Sequence, residues 1–390
     1  MKRFIAILLI SILLLSVTAF ATEEKTTFSA DDSRVNYVGR WIKNEKGYME
    51  GSFECSVVVR FTGTSLYVTK SSRNNVYVSV DGGEPVLKSL GTKNLCSGLE
   101  DGEHVALITA YAQKAFPVIS GFEVDKGATL LEAEKKPVIE FIGDSIMEGY
   151  VVGNNSVTNS YGYKTARLLN YDCNIVAFGG ITMQPNEGTP DKQGMYNRYF
   201  MRKEYSPEEP VSEAWDTSLF VPDMIVINLG TNGASSLAAN FKMYYSTFLQ
   251  KLRTAYPDTA IAIMTPFNGK RSTEITEIYD ASTDPNLHLI QSHLWNIPGG
   301  SDNLHPDVEG HEMAAEKLKA AILEINEKLS ATPTPETPAP ATDSTIQENG
   351  SSQEDGQNSF NPIFLVPIGA ALLIIGATVV ILLVKKGKKK

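Results

Sequence analysis

Three stretches of this chain are apolar almost without interruption, and each stops at a small polar group. VIEFI at 138–142 runs into Gly143-Asp144-Ser145, NIVAF at 174–178 into Gly179-Gly180, and MIVINL at 224–229 into Gly230-Thr231-Asn232. A strand with no polar side has nothing to show water, so it needs cover on both faces, as in a parallel sheet flanked by helices. Helical segments predicted near 163–169, 241–256 and 308–329, together with a further apolar run AIAIM at 260–264, complete a strand–helix–strand alternation. Parallel strands carry their carboxyl ends along one edge. Ser145, Gly180 and Asn232, far apart in the chain, are therefore expected to converge there.

From 35 to 124 the texture is different: short β-rich runs (SVVVRF, SLYVT, VYVSV, VALITAY, GFEV) are separated by turn segments such as TGTS and DGGEP. VYVSVDGGEPVL is a hairpin signal, because Asp81-Gly82 supplies residues that tolerate positive φ. No helical period appears, so an all-β jelly-roll or β-sandwich is expected at 30–127, ahead of an α/β domain at 136–330. The division falls near 125–136. About 300 residues are more than one core of ordinary size holds, which favours two domains.

The ends of the sequence point out of the cytoplasm. Lys2 and Arg3, an apolar run from Phe4 to Val17 and the small-x-small sequence Ala19-Phe20-Ala21 read as a signal peptide at 1–21. Residues 331–362, rich in Pro, Thr, Ser and acidic side chains, read as a linker with polyproline II character. Residues 363–384 are uncharged and apolar over a length that crosses a ~30 Å hydrocarbon core at about 1.5 Å per residue. The lysines of 385–390 form a cytoplasmic basic tail by the positive-inside rule. The expected place is the extracellular face of the plasma membrane, held by a single C-terminal helix, as suits a Gram-positive cell surface.

A net charge of −10 argues against nucleic acid as a partner. Cys55, Cys96 and Cys173 have no metal-ligand spacing; a Cys55–Cys96 disulfide stays open, and Cys173 reads as a small buried apolar residue.

Acyl transfer from oxygen needs a nucleophile, a base that activates it and donors aimed at the developing oxyanion. Ser145 is the candidate nucleophile. His305, in DNLHP at 302–306 just ahead of the last helix, is the candidate base. Asp302, three residues earlier, can accept from Nδ1 of His305 and leave Nε2 for Ser145. The backbone N–H groups of Ser145 and Gly180 and the side-chain amide of Asn232 would form the oxyanion hole. A strand-terminal Gly-Asp-Ser is by itself usually a turn, and Asp-x-x-His-Pro often only a helix start. Their joint occurrence in this order is what carries the reading. His104, His288, His293 and His311 are read as surface or structurally satisfied histidines. Trp215, Trp295 and Tyr150 are candidates for a sugar platform as much as for core packing.

The blocks GDSI at 143–146, Gly179-Gly180, LGTN at 229–232 and DNLHP at 302–306 resemble those of the SGNH, or GDSL-like, hydrolase superfamily, in family order across about 190 residues. With the β-rich region before them, carrying NYVGRW, FTGTSLYV and VYVSVDG, the whole resembles the two-domain acetyl esterases of carbohydrate esterase family 2. The resemblance implies a flavodoxin-like three-layer α/β/α hydrolase domain behind a jelly roll. It also implies serine hydrolysis without metal or cofactor, and removal of acetyl groups from a polysaccharide such as xylan or glucomannan. Met147 and Glu148 stand where the family commonly has Thr and a small residue, and Gly233 where it often has Asp, so the pocket is expected to be individual. The expected partner is an acetylated polysaccharide, with the chain acting as a monomer. Two competing readings are a tethered glycan-binding protein on an inactive scaffold and an esterase for lipid or peptidoglycan O-acetyl esters.

Overall fold

The computed structural model describes residues 24–70, 74–111, 117–185, 193–202, 213–233 and 236–331. The first part of the chain is all strand: β1 (Lys25–Ser29), β2 (Asn36–Lys43), β3 (Met49–Val68), β4 (Asn75–Val80), β5 (Val86–Ser89), β6 (Asn94–Ala110), β7 (Val118–Ile119), β8 (Gly121–Asp125) and β9 (Leu130–Leu131). The second part alternates: β10 (Val138–Asp144), α1 (Tyr161–Leu169), β11 (Asp172–Phe178), α2 (Gly194–Arg198), β12 (Met224–Asn228), α3 (Ala238–Ala255), β13 (Ala260–Met264), α4 (Ser272–Asp280), β14 (Leu287–Ile290) and α5 (Val308–Ala331).

Strands β10 to β14 pair in parallel in the spatial order β11-β10-β12-β13-β14, the flavodoxin-like arrangement. Every residue of β12 and β13 is buried, because both faces are covered. Side chains alternate across a strand, and the cores follow that period. Ile139, Phe141, Val226 and Ala262 pack with Tyr161 and Ala166 of α1 and with Ala314, Leu318 and Ile322 of α5. Ile142, Ile225, Ile227 and Ile263 pack with Phe241, Tyr245 and Phe248 of α3 and Ile275 of α4. The buried stripe Ala314, Leu318, Ile322, Ile325 on α5 has the three- and four-residue spacing of one helix face. Each such aliphatic side chain taken out of water contributes about 1.5–3 kcal/mol. α5 begins at Val308, where the sequence placed it, and the Asp307 carboxylate caps it by accepting from Gly310 N at 2.8 Å.

The β-rich part is organised on β3, which pairs antiparallel with β2, β6, β7, β8 and β9. The sequence reading cut this strand at TGTS, yet β3 continues through it. A bulge between Gly63 and Ser65 absorbs the irregularity, with Thr64 and Ser65 bonded to the Asp125 carboxylate. At the β4–β5 turn Asp81 and Gly82 both take positive φ, 52° and 78°. Cys55, Cys96 and Cys173 are free, so the open Cys55–Cys96 pairing is not formed.

Among the described residues the two textures pack as one compact unit. β3 pairs with β11 at Glu54↔Ile175, so the sheet is continuous across the boundary the sequence drew. Beside that pairing lies a buried charge. Arg40 on β2 is fully buried, its Nη1 donating to the carbonyls of Tyr199 at 2.5 Å and Met201 at 3.0 Å. Its Nη2 lies 3.7 Å from Oε1 of Glu140, in the middle of β10. The Phe53, Tyr199 and Trp215 rings surround the guanidinium with centroids 4.6–5.4 Å away. Tyr199 Oη donates to Glu140, as does Asn174 Nδ2 at 2.8 Å.

The assignments at 1–21, 363–384 and 385–390, and all of 331–362 beyond Ala331, lie outside the described residues. Among the described residues no helix is long and apolar enough to cross a membrane.

Candidate active site

The site sits where β10, β11 and β12 end. Gly143 is level with Ala177 of β11 and Asn228 of β12, so the residues following each strand leave the sheet together. Gly143 has no room for a side chain: a Cβ there would lie 2.3 Å from Cβ of Met147. The chain folds back at once after β10, Glu148 N donating to Asp144 O at 3.0 Å and Tyr150 N to Ser145 O at 3.0 Å. That tight turn fixes Ser145, which is 8% exposed.

Ser145 Oγ lies 2.8 Å from Nε2 of His305, and Nδ1 of the same ring lies 2.6 Å from Oδ2 of Asp302. Asn303, at φ 58°, turns the segment so that Asp302 and His305 face one another. The second Asp302 oxygen accepts from the backbone N–H of Leu304 at 3.0 Å and of His305 at 2.9 Å. These bonds, that from His305 foremost, hold the Asp302 carboxyl down at about 2, so it is an anion that only accepts. Nδ1 must then donate, which leaves the Nε2 lone pair facing the Ser145 hydroxyl: the tautomer that a general base requires.

Gly180 lies two residues beyond the end of β11, with φ 77°. Asn232 follows β12, and its Nδ2 donates to Ile181 O at 3.1 Å, tying the two loops together beside Ser145. An amide nitrogen carries two hydrogens. The bond to Ile181 fixes the rotamer and leaves the second hydrogen for a ligand. Ser145, Gly180, Asn232, His305 and Asp302 thus lie along one sheet edge.

One side chain at this edge, Asp144, was given no role by the sequence reading. Asp144 is fully buried behind the nucleophile, and burial raises its carboxyl to about 6 against a bond from Ile146 N at 3.1 Å. Its signal was its place beside Ser145, which a turn residue explains equally well. The Tyr150 ring lies against His305 with centroids 4.5 Å apart. Trp215 is buried against Arg40 and is core rather than platform. His311 is no surface histidine: it is buried on α5, stacked on Tyr161 at 6.1 Å, and burial lowers it to about 4. His104 pairs with Asp81 at 2.7 Å in the β-rich part, and His293 Nδ1 lies 2.8 Å from Thr265 Oγ1. Among the described residues no group of three His, Cys, Asp or Glu side chains could hold a metal ion.

Residues 139–318 match the GDSL-like Lipase/Acylhydrolase family. The chain is 29% identical over 334 residues to the cellulase/esterase CelE of Acetivibrio thermocellus, covering 77% of this chain and 40% of that protein. It is 24% identical over 203 residues to an acetylxylan esterase / glucomannan deacetylase of Cellvibrio japonicus, covering 47% of this chain and 56% of that protein. The chain therefore spans about half the length of these curated relatives. Among solved structures it is similar to a family two carbohydrate esterase from Clostridium thermocellum in complex with cellohexaose. That match has 28% identity and a TM-score of 0.63, over 76% of this chain and 99% of the other. A family two carbohydrate esterase from Cellvibrio japonicus shares the fold, with a TM-score of 0.68 at 21% identity over 78% of this chain and 99% of the other.

Proposed function

We propose that this protein is a carboxylic-ester hydrolase removing O-acetyl groups from a carbohydrate, a reading supported by the match of residues 139–318 to the GDSL-like Lipase/Acylhydrolase family and by the similarity to family two carbohydrate esterases. The observation that carries the reading is the run of hydrogen bonds from Ser145 Oγ through His305 to Asp302, at the edge shared with Gly180 and Asn232.

In this reading His305 Nε2 takes the Ser145 proton as Oγ attacks the acetyl carbonyl carbon. The Ser145 and Gly180 N–H groups and the free Asn232 amide hydrogen receive the oxyanion, each donor worth about 2.7–4 kcal/mol in comparable sites. The imidazolium then protonates the departing sugar oxygen, leaving an acetyl ester on Ser145. A water molecule, deprotonated by the same nitrogen, releases acetate in the second half. Asp302 remains ionised throughout and steadies the imidazolium.

Xylan and glucomannan are the proposed polymers, supported by the acetylxylan esterase / glucomannan deacetylase relative and by the cellohexaose bound to a similar esterase. The proposed setting is the outer face of the plasma membrane, supported by the apolar run at 363–384 and the lysines after it.

Ser145→Ala should fold as the parent does and lose at least about 10³-fold of its turnover of a small acetyl ester. Unchanged turnover would sink the assignment. Acetate released from acetylated xylan, glucomannan and O-acetylated peptidoglycan by the full chain ranks the substrates. Release from peptidoglycan alone would remove the plant-polysaccharide reading. Retention of the chain in membranes after alkaline extraction tests the anchor.

A further inference from the structure

The oxyanion donor Asn232 sits on a loop whose position is fixed from outside the catalytic set. Arg271, immediately before α4, directs Nη2 into that loop, donating to Gly233 O at 3.1 Å, Ser236 O at 2.7 Å and Ser236 Oγ at 2.8 Å. Ser236 N and Oγ donate to the same Gly233 carbonyl at 3.2 and 3.0 Å, so one guanidinium holds Gly233 and Ser236 together next to Asn232. Nη1 is held at 2.8 Å by Glu274 on α4, which aims the planar fork, and the Phe241 ring lies 5.1 Å beneath it. The side chain is 9% exposed.

Two backbone observations agree. Arg271 is at φ 60°, a left-handed conformation unfavourable to any residue with a Cβ and maintained only where the surroundings demand it. Gly230, two residues before Asn232, has φ 130° and brings its backbone against Arg271: a Cβ there would lie 3.1 Å from that of Arg271. The strained arginine and the Asn232 loop are thus packed against one another as well as hydrogen-bonded.

We propose that Arg271 is a positioning residue for the oxyanion hole: its guanidinium holds the loop so that the free amide hydrogen of Asn232 points to where the oxyanion forms. The proposal rests on the esterase reading above. Asn232 is fixed on its other side by Ile181 O at 3.1 Å, so losing Arg271 should loosen the donor rather than remove it. Arg271 touches neither nucleophile nor base. Its effect should therefore appear in kcat, with little change in KM and none in the pH profile.

The test is a double-mutant cycle on the full chain with a small acetyl ester. Arg271→Met, which keeps the stem, should lower kcat about 10–100-fold, since a donor displaced by about 1 Å forfeits most of its contribution. In an Asn232→Ala background the same change should cost about twofold or less, because the group it positions is gone. Arg271→Gly removes the side chain and relieves the left-handed backbone, so it serves if the methionine variant does not fold. Equal losses in both backgrounds, or a loss confined to KM, overturn the proposal while leaving the esterase intact. Turnover that survives Ser145→Ala overturns the esterase reading, and Arg271's role with it.

Discussion

Carboxylates at the seam between the β-rich and α/β parts and the Asp302 carboxylate of the candidate active site are displaced in opposite directions. At the seam, Glu54 is fully buried and its carboxyl is raised well above the ordinary range by burial, with Glu148 adding to the effect. Asp172, at the start of β11, is raised to about 6 by burial, although Asn36 Nδ2 donates to it at 3.2 Å. Asp302 lies at the surface and is held down at about 2 by its bonds from His305 and Leu304. Where water is excluded the neutral form is favoured and polar groups act as structure; where donors meet an exposed carboxylate the anion is secured and can serve a reaction. The seam's charges join two parts of a fold, and the site's charges are free to move protons.

The strongest way to break this contrast is Arg40→Met. Removing one partner of a buried ion pair costs about 3–5 kcal/mol, so the variant should unfold at much lower urea while the folded fraction keeps its kcat within about twofold. A variant of normal stability with lost activity would reverse the roles assigned to the two regions. Next in size, Asp302→Asn should lower kcat about 10²–10³-fold, because the asparagine amide can donate to Nδ1 and select the wrong imidazole tautomer. Its urea midpoint should fall far less than that of Arg40→Met.

Smallest is the pH dependence. The folded Asp172 carboxyl keeps its proton up to about pH 6, whereas an unfolded one releases it near 4. The folded state therefore binds more protons in that window, and stability falls as pH rises through it. Asp172→Asn should be about 1–2 kcal/mol more stable than the parent at pH 7–8, with the advantage gone below pH 4. Asp302 has the opposite sign: its contribution is present above the ordinary carboxylate value near 4 and disappears as pH falls through about 2. Urea melts of both variants across this range separate the two signs.

The parallel sheet was legible because β10, β11 and β12 are buried on both faces and their composition says so directly. The convergence of Ser145, Gly180 and Asn232 on one edge was legible because glycines and polar residues rarely end three such strands by accident. DNLHP was readable since Asp302 and His305 are neighbours in sequence. The seam was not. Arg40 and Glu140 are single charges inside apolar strands about a hundred residues apart, and only packing reveals that they meet. β3 was split because Gly63 and its neighbours look like a turn, and a bulge carries the same signal as a strand end. Arg271 was invisible for a related reason: two of its partners in the Asn232 loop are backbone carbonyls, which any sequence possesses.

The pairing of Glu54 on β3 with Ile175 on β11 also sets a schedule for synthesis. About 120 residues separate them, so at roughly 5–20 residues per second the ribosome finishes β3 some 6–24 s before its partner strand exists. During that interval this edge of β3 is an open template for any extended chain nearby. Glu54 is then in water and charged, and a charge on a bare strand edge deters wrong partners. Only when β11 arrives does the residue enter the interior and favour its proton, so one side chain protects the edge early and is neutralised late.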